Sequence, residues 1–342
     1  MAFSFGFAGD DIDMDDSDVQ DVRVKSSAQE SALPELVAAQ RHQLGEWLPT
    51  LPSQVSFNKL HIVAQDGRIL SLVRREVFDI RAQLMAEDTA DYENEEIISG
   101  LEKGDIKPNV YEGGFKTWEC SVDLAKLVAD ESMREDRHFI ELGAGTAVPS
   151  LALFARLLCE ESHGKIRFTF ADYNAVVLRL VTLPNLLLTW YHSTQAQDDE
   201  ELELDITPEL TESFEKDLAR RGITVEFISG AWSSAFVDLV APSAGTSART
   251  LVLASETIYS PASLGAFSQT LLALLRRSAQ DGQSKALVAA KKVYFGVGGG
   301  VDEFLAVFNG MGGAELDVKE RLDVRSEGVG RIVLEIAPKA LQ

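Results

Sequence analysis

Cysteine and histidine are scarce in this sequence, which has two cysteines and five histidines among its 342 residues. The cysteines, Cys120 and Cys159, suggest no disulfide framework or CxxC pair, and such usage is typical of a reducing compartment. The histidines lack metal-ligand spacing, so we expect no metal site. No apolar run approaches the roughly 18 residues of a membrane span, and the N-terminal residues do not resemble a secretory signal. We therefore expect a protein of the cytoplasm and nucleus that contacts no membrane.

Positive charge is also scarce, since 32 Lys and Arg residues stand against 54 Asp and Glu, for a net charge of −22. Such a surface repels phosphates, so we expect no direct contact with nucleic acid. A basic protein is the electrostatic complement of this charge, although acidity that only aids solubility is the alternative. We expect the chain to be a monomer.

The chain divides into segments of different composition. Residues 1–50 are mostly polar and acidic, which predicts a largely disordered tail. Residues 51–107 are predicted to form an N-terminal extension with a β-hairpin around Asp66-Gly67 and an acidic helix. Within the remainder, the strongly acidic stretch 193–217 is interpreted as a surface insertion with a helical end, either a solvated loop or a contact for a basic partner.

Strands and helices alternate along residues 108–342, beginning with the apolar strand "HFIEL" (138–142). This alternation predicts an α/β fold with a doubly wound, mostly parallel sheet. The last two strands have no helix between them, which predicts an antiparallel hairpin at one edge.

The stretch "FIELGAGTAV" carries the strongest local signal for a ligand. It runs from a strand into Gly143 and Gly145, where a tight turn and a helix N-terminus let the backbone approach a ligand. A dinucleotide fold would have a third glycine where Val148 stands, whereas Glu141 ahead of the glycines is typical of S-adenosylmethionine (SAM) folds. Asp172 ends the next strand, where an acid either accepts the two hydroxyls of an adenosine ribose or caps a helix.

Ligands of open α/β sheets bind at the carboxyl ends of the strands. The turns "SGAW" (229–232) and "SETIY" (255–259) are therefore expected at the same crevice, where Trp232 either covers an adenine ring or belongs to the core. The stretch "WECSVDLAKLV" (118–128) opens on a Trp and a Glu that its helix does not need. We expect Glu119 to contact the cofactor near its positively charged methionine end.

Five blocks in this order resemble the eukaryotic histidine protein methyltransferases: "YEGGFKTWECSVDL", "FIELGAGTAVPSLALF", "FADYNAVVLRLVTLPN", "SETIYS" and "AAKKVYFGVGGG". The similarity covers most of residues 108–300. It implies a Rossmann-like class I methyltransferase with a seven-stranded sheet, an N-terminal extension and SAM as cofactor. It further implies methylation of the Nε2 atom of a histidine in the large-subunit ribosomal protein uL3, and hence a link to ribosome biogenesis and translation.

The resemblance also implies site residues. Together with the glycine loop, it places the cofactor against Thr117, Trp118, Glu119, Cys120, Ser121, Glu141, Gly143, Gly145, Asp172, Tyr173, Asn174, Gly230, Ala231, Trp232 and Ser255. The segment from Glu256 to Tyr259 resembles the acidic-x-x-aromatic signature of related protein methyltransferases. A carboxylate that accepts the imidazole Nδ1–H would leave Nε2 facing the methyl group, so Glu256 is the candidate catalytic residue. A purely structural carboxylate is the alternative.

Two other functions fit the same residues. One is a lysine methyltransferase of the same fold, which would have to deprotonate an ammonium group of pKa about 10.4. The other is a non-catalytic, SAM-binding ribosome-assembly factor that binds a basic protein through its acidic surface. Fold alone does not decide among these functions.

Overall fold

The main sheet of the computed structural model has eight strands. The structure describes residues 37–64, 66–87, 113–160, 163–195, 202–241, 248–278, 284–296, 298–325 and 328–339. The strand order is β1-β7-β5-β4-β8-β9-β13-β12. The strands, numbered along the chain, are β1 (Gln40–Gln43), β4 (Arg137–Leu142), β5 (Ile166–Asp172), β7 (Ile223–Ser229), β8 (Arg249–Ser255), β9 (Lys285–Lys291), β12 (Leu316–Val324) and β13 (Arg331–Pro338).

The five central strands β7, β5, β4, β8 and β9 are parallel to one another. Strand β13 pairs antiparallel with β9, and β12 pairs antiparallel with β13. All six residues of β4 are buried, as expected of a parallel strand covered on both faces. The α/β fold class, the doubly wound parallel sheet and the antiparallel edge hairpin are confirmed, and β1 is an eighth strand beyond the seven predicted.

Helices cover both faces of the main sheet. On one face, Phe168 and Phe227 pack with α3 (Glu119–Val128), α4 (Val148–Cys159), α6 (Leu183–Thr194) and α7 (Pro208–Arg221). On the other face, Ile140 and Val252 pack with α8 (Ser234–Val240), α9 (Pro261–Ser278) and α10 (Val301–Gly310). The apolar residues of each strand alternate between these two cores, which fixes the sheet in the middle layer.

Strands β10 (Val293–Tyr294) and β11 (Gly299–Gly300) form a two-stranded sheet. A further sheet has the order β3-β2-β6. Strands β2 (Gln54–Val63) and β3 (Ile69–Arg75) form the predicted hairpin, with Val63 opposite Ile69 beside the Asp66-Gly67 turn. Strand β6 (Glu203–Asp205) and the start of α7 lie within the predicted insertion 193–217. The hairpin continues into α2 (Val77–Glu87), and the rest of the predicted extension lies outside the described residues.

The chain ahead of β2 differs from the prediction of a largely disordered tail over residues 1–50. Strand β1 pairs antiparallel with β7, and α1 (Leu44–Trp47) follows it directly. The Trp47 ring stacks on His42 at 4.3 Å and packs on Phe227 at 5.2 Å between centroids. The open edge of β7 supplies backbone partners that make a polar segment a strand. Residues 1–36 lie outside the described residues.

No helix in the described part of the chain combines the length and apolar character needed to cross a membrane.

Candidate functional site

A cavity of about 550 Å³ opens at the carboxyl ends of β4, β5, β7 and β8. Its volume lies within the range of small-molecule and cofactor sites. Its wall is built by the turns that follow these strands, by residues 113–121, and by the segment after β9. The cavity is therefore where an open α/β sheet places its ligand.

The glycine loop after β4 forms one wall of the cavity. Gly143 and Gly145 have φ angles of 66° and 50°, in the left-handed region that favours glycine. A Cβ atom on Gly143 would lie 2.8 Å from the Cγ2 atom of Thr257, and one on Gly145 would lie 3.1 Å from the Gly114 carbonyl oxygen. Side chains at these positions would strain the loop and crowd its neighbours.

Asp172 ends β5 beside this loop and lines the cavity. Its Oδ2 atom accepts from the Gly145 N–H at 3.0 Å, and its Oδ1 atom accepts from the Asn174 N–H at 3.1 Å. One carboxylate thus joins the glycine loop to the turn after β5. Its place on the wall is the one expected of a ribose acceptor.

Two buried side chains from the next helical segment hold the carbonyl groups of the glycine loop. The segment runs from α5 (Ala175–Val177) through a π-helical stretch (Leu178–Thr182) into α6. Thr182 Oγ1 donates to the Gly145 carbonyl at 2.7 Å, and Asn185 Nδ2 donates to the Thr146 carbonyl at 3.0 Å. These three stretches therefore form one continuous helical segment whose π-helical turn reaches the site.

The turn after β7 forms the opposite wall. Gly230 has a φ angle of 114°, and its N–H donates to the Asp172 carbonyl at 3.1 Å. The Ala231 N–H donates to the Val37 carbonyl at 2.9 Å, so the segment before β1 fixes this turn from outside. Trp232 lines the cavity and also packs on Phe267, with 5.1 Å between ring centroids. Both interpretations of Trp232, as cover and as core, are compatible with this position.

Glu256 follows β8 with a φ angle of 57°, which is rare for a residue other than glycine. Its N–H donates to the Ala289 carbonyl at 2.9 Å, and its side chain lines the cavity. Its Oε1 atom is buried without a hydrogen-bond partner. Burial and the charge of Glu256 raise the pKa of the Cys120 thiol and of the Tyr294 phenol beside it, so both groups stay protonated.

The cavity brings together most of the predicted site residues. Its lining includes Trp118, Ser121, Gly143, Gly145, Asp172, Tyr173, Gly230, Ala231, Trp232, Ser255 and the candidate catalytic residue Glu256. These residues come from segments separated by more than a hundred positions along the chain. The sheet topology unites them because parallel strands end at a common edge.

Five predicted residues do not line the cavity. Glu141 is buried and accepts from the Ser150 N–H at 3.1 Å, and burial raises its pKa to about 8. Thr117 donates to the Thr146 hydroxyl at 3.1 Å, and Asn174 is the N-cap of α5. Cys120 is fully buried behind the wall.

Glu119 is the fifth of these residues. Its side chain is 60% exposed, and it pairs with Lys291 at 3.2 Å. The position of Glu119 therefore does not match the expected direct contact with a cofactor.

Other residues on the wall were missed by the sequence analysis. They are Gly113, Gly114, Lys116, Ala144, Thr146, Thr257, Tyr259, Lys291 and Tyr294, among others. Several stand in the quoted blocks "YEGG", "SETIY" and "KKVYF", which are the signal that pointed toward them. Within the described ranges, no group of three or more His, Cys, Asp or Glu side chains is placed to hold a metal ion.

Several known proteins similar to this chain have the name histidine protein methyltransferase 1 or are homologues of it. Histidine protein methyltransferase 1 of Schizosaccharomyces pombe is 38% identical over 307 residues, which cover 88% of this chain and 83% of that protein. The protein of the same name from Saccharomyces cerevisiae is 35% identical over 341 residues, covering 90% of each chain. A mouse homologue is 31% identical over 69% of this chain and 59% of its own length. No protein-family profile matches the chain.

Solved structures are more distant. A precorrin-6y C5,15-methyltransferase from Geobacter metallireducens is 13% identical, with a TM-score of 0.35 over 66% of this chain and 94% of that one. The N-methyltransferase NodS from Bradyrhizobium japonicum, in complex with S-adenosylhomocysteine, is 11% identical, with a TM-score of 0.35 over 76% and 98%.

Proposed function

The chain belongs to the histidine protein methyltransferase family, and we propose that it transfers a methyl group from SAM to a histidine side chain of a protein. The observation that carries the proposal is the cavity itself. It combines the glycine loop and Asp172 at one end with a buried carboxylate oxygen of Glu256 that lacks a hydrogen bond. The glycine loop and Asp172 suit an adenosyl group, and the Glu256 carboxylate suits the N–H of an imidazole.

The residues present fit SAM. Gly143 and Gly145 leave room that Cβ atoms would fill, and Asp172 on the cavity wall would accept the ribose hydroxyls. Trp232 would cover the adenine ring from the turn after β7. When bound, SAM supplies a methyl group on a positively charged sulfur that becomes a neutral thioether as the methyl–sulfur bond breaks.

The acceptor chemistry follows from the imidazole ring. With an ordinary pKa of about 6.5, the ring is mostly neutral near pH 7 and has a lone pair on one nitrogen. Glu256 would accept the N–H of the other nitrogen and so fix the tautomer and the orientation of the ring. The ring gains a nitrogen–methyl bond and a positive charge, which the Glu256 carboxylate stabilises. The ring N–H proton then leaves to solvent, and the methylated ring is neutral again.

We also propose the substrate, the methylated atom and the location of the enzyme in the cell. The substrate is the ribosomal large-subunit protein uL3, the methylated atom is Nε2, and the enzyme acts in the cytoplasm and nucleus during ribosome biogenesis. The resemblance of the five sequence blocks supports this substrate. The net charge of −22 also supports it, because ribosomal proteins are basic and an acidic enzyme attracts them.

The test is incubation of the full chain with methyl-labelled SAM and a ribosomal protein extract, followed by mass-spectrometric location of the label. We expect label on a histidine of uL3, and amino-acid analysis should identify the Nε2-methyl isomer. Label on lysine would contradict the histidine assignment. Intact SAM binding without transfer to any protein would favour a non-catalytic assembly factor.

A matched variant tests the role of Glu256 in the same assay. Glu256→Gln keeps the shape of the side chain but removes its charge, so we expect SAM to bind with similar affinity. The rate of transfer should fall about tenfold, because a hydrogen bond to a charged acceptor contributes about 1.5 to 3 kcal/mol and one to a neutral acceptor about 0.5 to 1.5 kcal/mol. An unchanged rate would make Glu256 a structural carboxylate.

A further inference from the structure

Large apolar side chains are exposed at the mouth of the cavity. Phe295 is 78% exposed and Val293 is 50% exposed, and both line the cavity. Val329, from the loop that precedes β13, also lines it and lies close to them, because the Lys292 N–H donates to the neighbouring Gly330 carbonyl at 2.8 Å. We call Val293, Phe295 and Val329 the apolar rim. Apolar side chains that are grouped at a cavity, unlike single ones on a surface, indicate a contact with a ligand or a partner.

A short, fixed hairpin carries two residues of the apolar rim. Strand β10 pairs antiparallel with β11, and the Gly298 N–H donates to the Tyr294 carbonyl at 3.1 Å. A Cβ atom on Gly299 would overlap the Tyr259 carbonyl oxygen, so the hairpin packs directly on the backbone of the turn after β8. The rim side chains are consequently presented from a fixed backbone, which lowers the entropy cost of binding.

Alternation along β10 separates the apolar rim from the wall that holds Glu256. The Tyr294 ring packs edge-on against Tyr259, with 6.3 Å between centroids, and its phenol lies beside Glu256. Successive side chains of a strand point to opposite sides. Tyr294 therefore faces Glu256, whereas Val293 and Phe295 face the outer part of the cavity.

The strand order gives the cofactor and the protein substrate different sides of the cavity. Gly143, Asp172 and Gly230 follow β4, β5 and β7, which lie on one side of β8. The apolar rim follows β9 and precedes β13, on the other side of β8. Glu256 follows β8 itself and lies between the two. Since neighbouring strands are about 4.8 Å apart, a cofactor on the glycine loop leaves the side of β9 to the substrate.

Charged side chains next to the apolar rim are paired locally. Lys291 pairs with Glu119 at 3.2 Å, and Lys292 pairs with Asp323 at 2.8 Å. The surface at this point is therefore apolar with balanced charge, although the whole chain is acidic. An apolar side chain of the substrate fits this surface. A lysine or arginine would lose water there against carboxylates that already have lysine partners.

We propose that the apolar rim binds a large apolar side chain that lies within a few residues of the acceptor histidine in the protein substrate. This inference rests on the proposed function and adds a feature of the substrate that the site recognises. Phe295 is the largest exposed side chain of the rim and is the residue that determines this specificity. The rim holds the substrate so that its histidine enters beside Glu256, and it takes no part in the methyl transfer itself.

The test compares Phe295→Ala with Phe78→Ala in the full chain. Phe78 is 79% exposed on α2 and does not line the cavity, so it is a matched control for loss of one exposed phenyl ring. Initial rates of transfer from methyl-labelled SAM are measured over a dilution series of ribosomal protein extract. For Phe295→Ala, we expect the apparent KM to rise about tenfold, because burial of a phenyl ring is lost, while kcat changes less than about twofold. Phe295→Leu should regain most of the affinity, and Phe78→Ala should match the wild type.

A second measurement separates direct contact from a general loss of order. Mass spectrometry of the labelled protein locates the methylated histidine, and we expect a large apolar side chain near it in the sequence. Replacement of that side chain by Ser in the purified labelled protein should lower kcat/KM about tenfold with the wild-type enzyme. With Phe295→Ala, the same replacement should have little further effect, because the effects of two residues in contact do not add. Thermal melting and the Kd of SAM check that each variant is folded.

An unchanged KM in Phe295→Ala would overturn the proposal, as would additive effects of the two replacements. An unchanged KM with weaker SAM affinity would assign the apolar rim to the cofactor, and an unchanged KM with loss of self-association would assign it to a second copy of the chain. The product of the wild-type enzyme tests the proposed function separately. Methyllysine in that product rejects the histidine assignment, whereas methylhistidine with an unchanged KM rejects only the role of the rim. The absence of any labelled protein rejects both.

Discussion

Single residues near the glycine loop have different roles despite similar positions in the sequence. Glu141 and Asp172 both stand at the ends of central strands, and both are buried acids. Asp172 lines the cavity, whereas Glu141 faces the start of α4 and accepts from the Ser150 N–H. An acid near a strand end is therefore not enough to define a ligand contact. Glu141 is level with Phe170, two residues before Asp172 on the same face of the sheet, and so lies further from the carboxyl ends of the strands.

Replacement of Asp172 by Ala should weaken SAM binding. A hydrogen bond to a charged group contributes about 1.5 to 3 kcal/mol, so the loss of one or two ribose bonds should raise the Kd at least about tenfold. The fold should survive with lower stability, because the Gly145 and Asn174 N–H groups lose their acceptor. Calorimetric titration measures the Kd, and Asp172→Asn controls for side-chain shape. An unchanged Kd in Asp172→Ala would reject the ribose assignment.

Glu141 predicts a pH dependence of stability. Burial raises its pKa from 4.5 to about 8, so the folded state holds this proton more tightly than the unfolded state does. Its contribution to stability is complete below pH 4.5 and decreases as the pH rises to about 8. The expected change over the whole range is about 5 kcal/mol, since one pKa unit corresponds to about 1.4 kcal/mol. Glu141→Gln removes this titration, so the wild type should lose stability relative to the variant between pH 5 and pH 8. The free energy of unfolding of both proteins is measured by denaturant titration at each pH. An equal dependence on pH in the wild type and in Glu141→Gln would contradict this prediction.

At the scale of elements, the segment from Val37 through β1 supports one wall of the cavity. Its backbone pairs with β7 and accepts the Ala231 N–H, and Gly230 fits against it. A Cβ atom on Gly230 would lie 2.6 Å from the Ala38 carbonyl oxygen. The turn after β7 and strand β1 therefore form one structural unit.

Gly230→Ala should separate these two elements. The substitution adds a clash to the strain of a φ angle of 114°, and together they should cost about 2 to 4 kcal/mol of stability. SAM affinity should fall, and hydrogen exchange should become faster at residues 37–43. Gly222→Ala is the matched control, because Gly222 has a φ of 70° with no atom within 4 Å of the added Cβ. Equal effects of the two substitutions would show that the contact with the N-terminal strand is unimportant.

Much of this organisation could be predicted from the sequence. The buried parallel strands have nearly continuous apolar runs, and Gly143, Gly145 and Asp172 stand where such strands end. Strand β1 could not be predicted, because "QRHQ" is polar and its pairing depends on the open backbone edge of β7. The place of Lys291 between two carboxylates was equally hidden, since it depends on how β9 meets α3 in the folded chain.

At the scale of the whole molecule, the excess of negative charge should act on the encounter with substrate. A net charge of −22 creates a long-range field that attracts a basic protein and is screened by salt. SAM is small and binds inside the cavity, so its affinity should depend on salt much less.

This difference gives a testable expectation. Between 50 and 300 mM salt, kcat/KM for a basic protein substrate should fall about tenfold or more, mainly through KM. The Kd of SAM should change little over the same range and acts as the internal control. A salt-independent KM would indicate that the acidic surface serves solubility and does not steer the substrate.

The position of β1 at the edge of the sheet also sets an order of events during synthesis of the chain. His42 and Ser229 are hydrogen-bonded across 187 positions of sequence. At the usual rates of translation, β7 follows β1 out of the ribosome only after roughly 10 to 40 s. During that interval the N-terminal segment has no strand to join, and the wall that Gly230 completes cannot form. A nascent chain should therefore acquire its cofactor late, and a chain that loses residues 37–43 should leave β7 as an unprotected edge that invites aggregation.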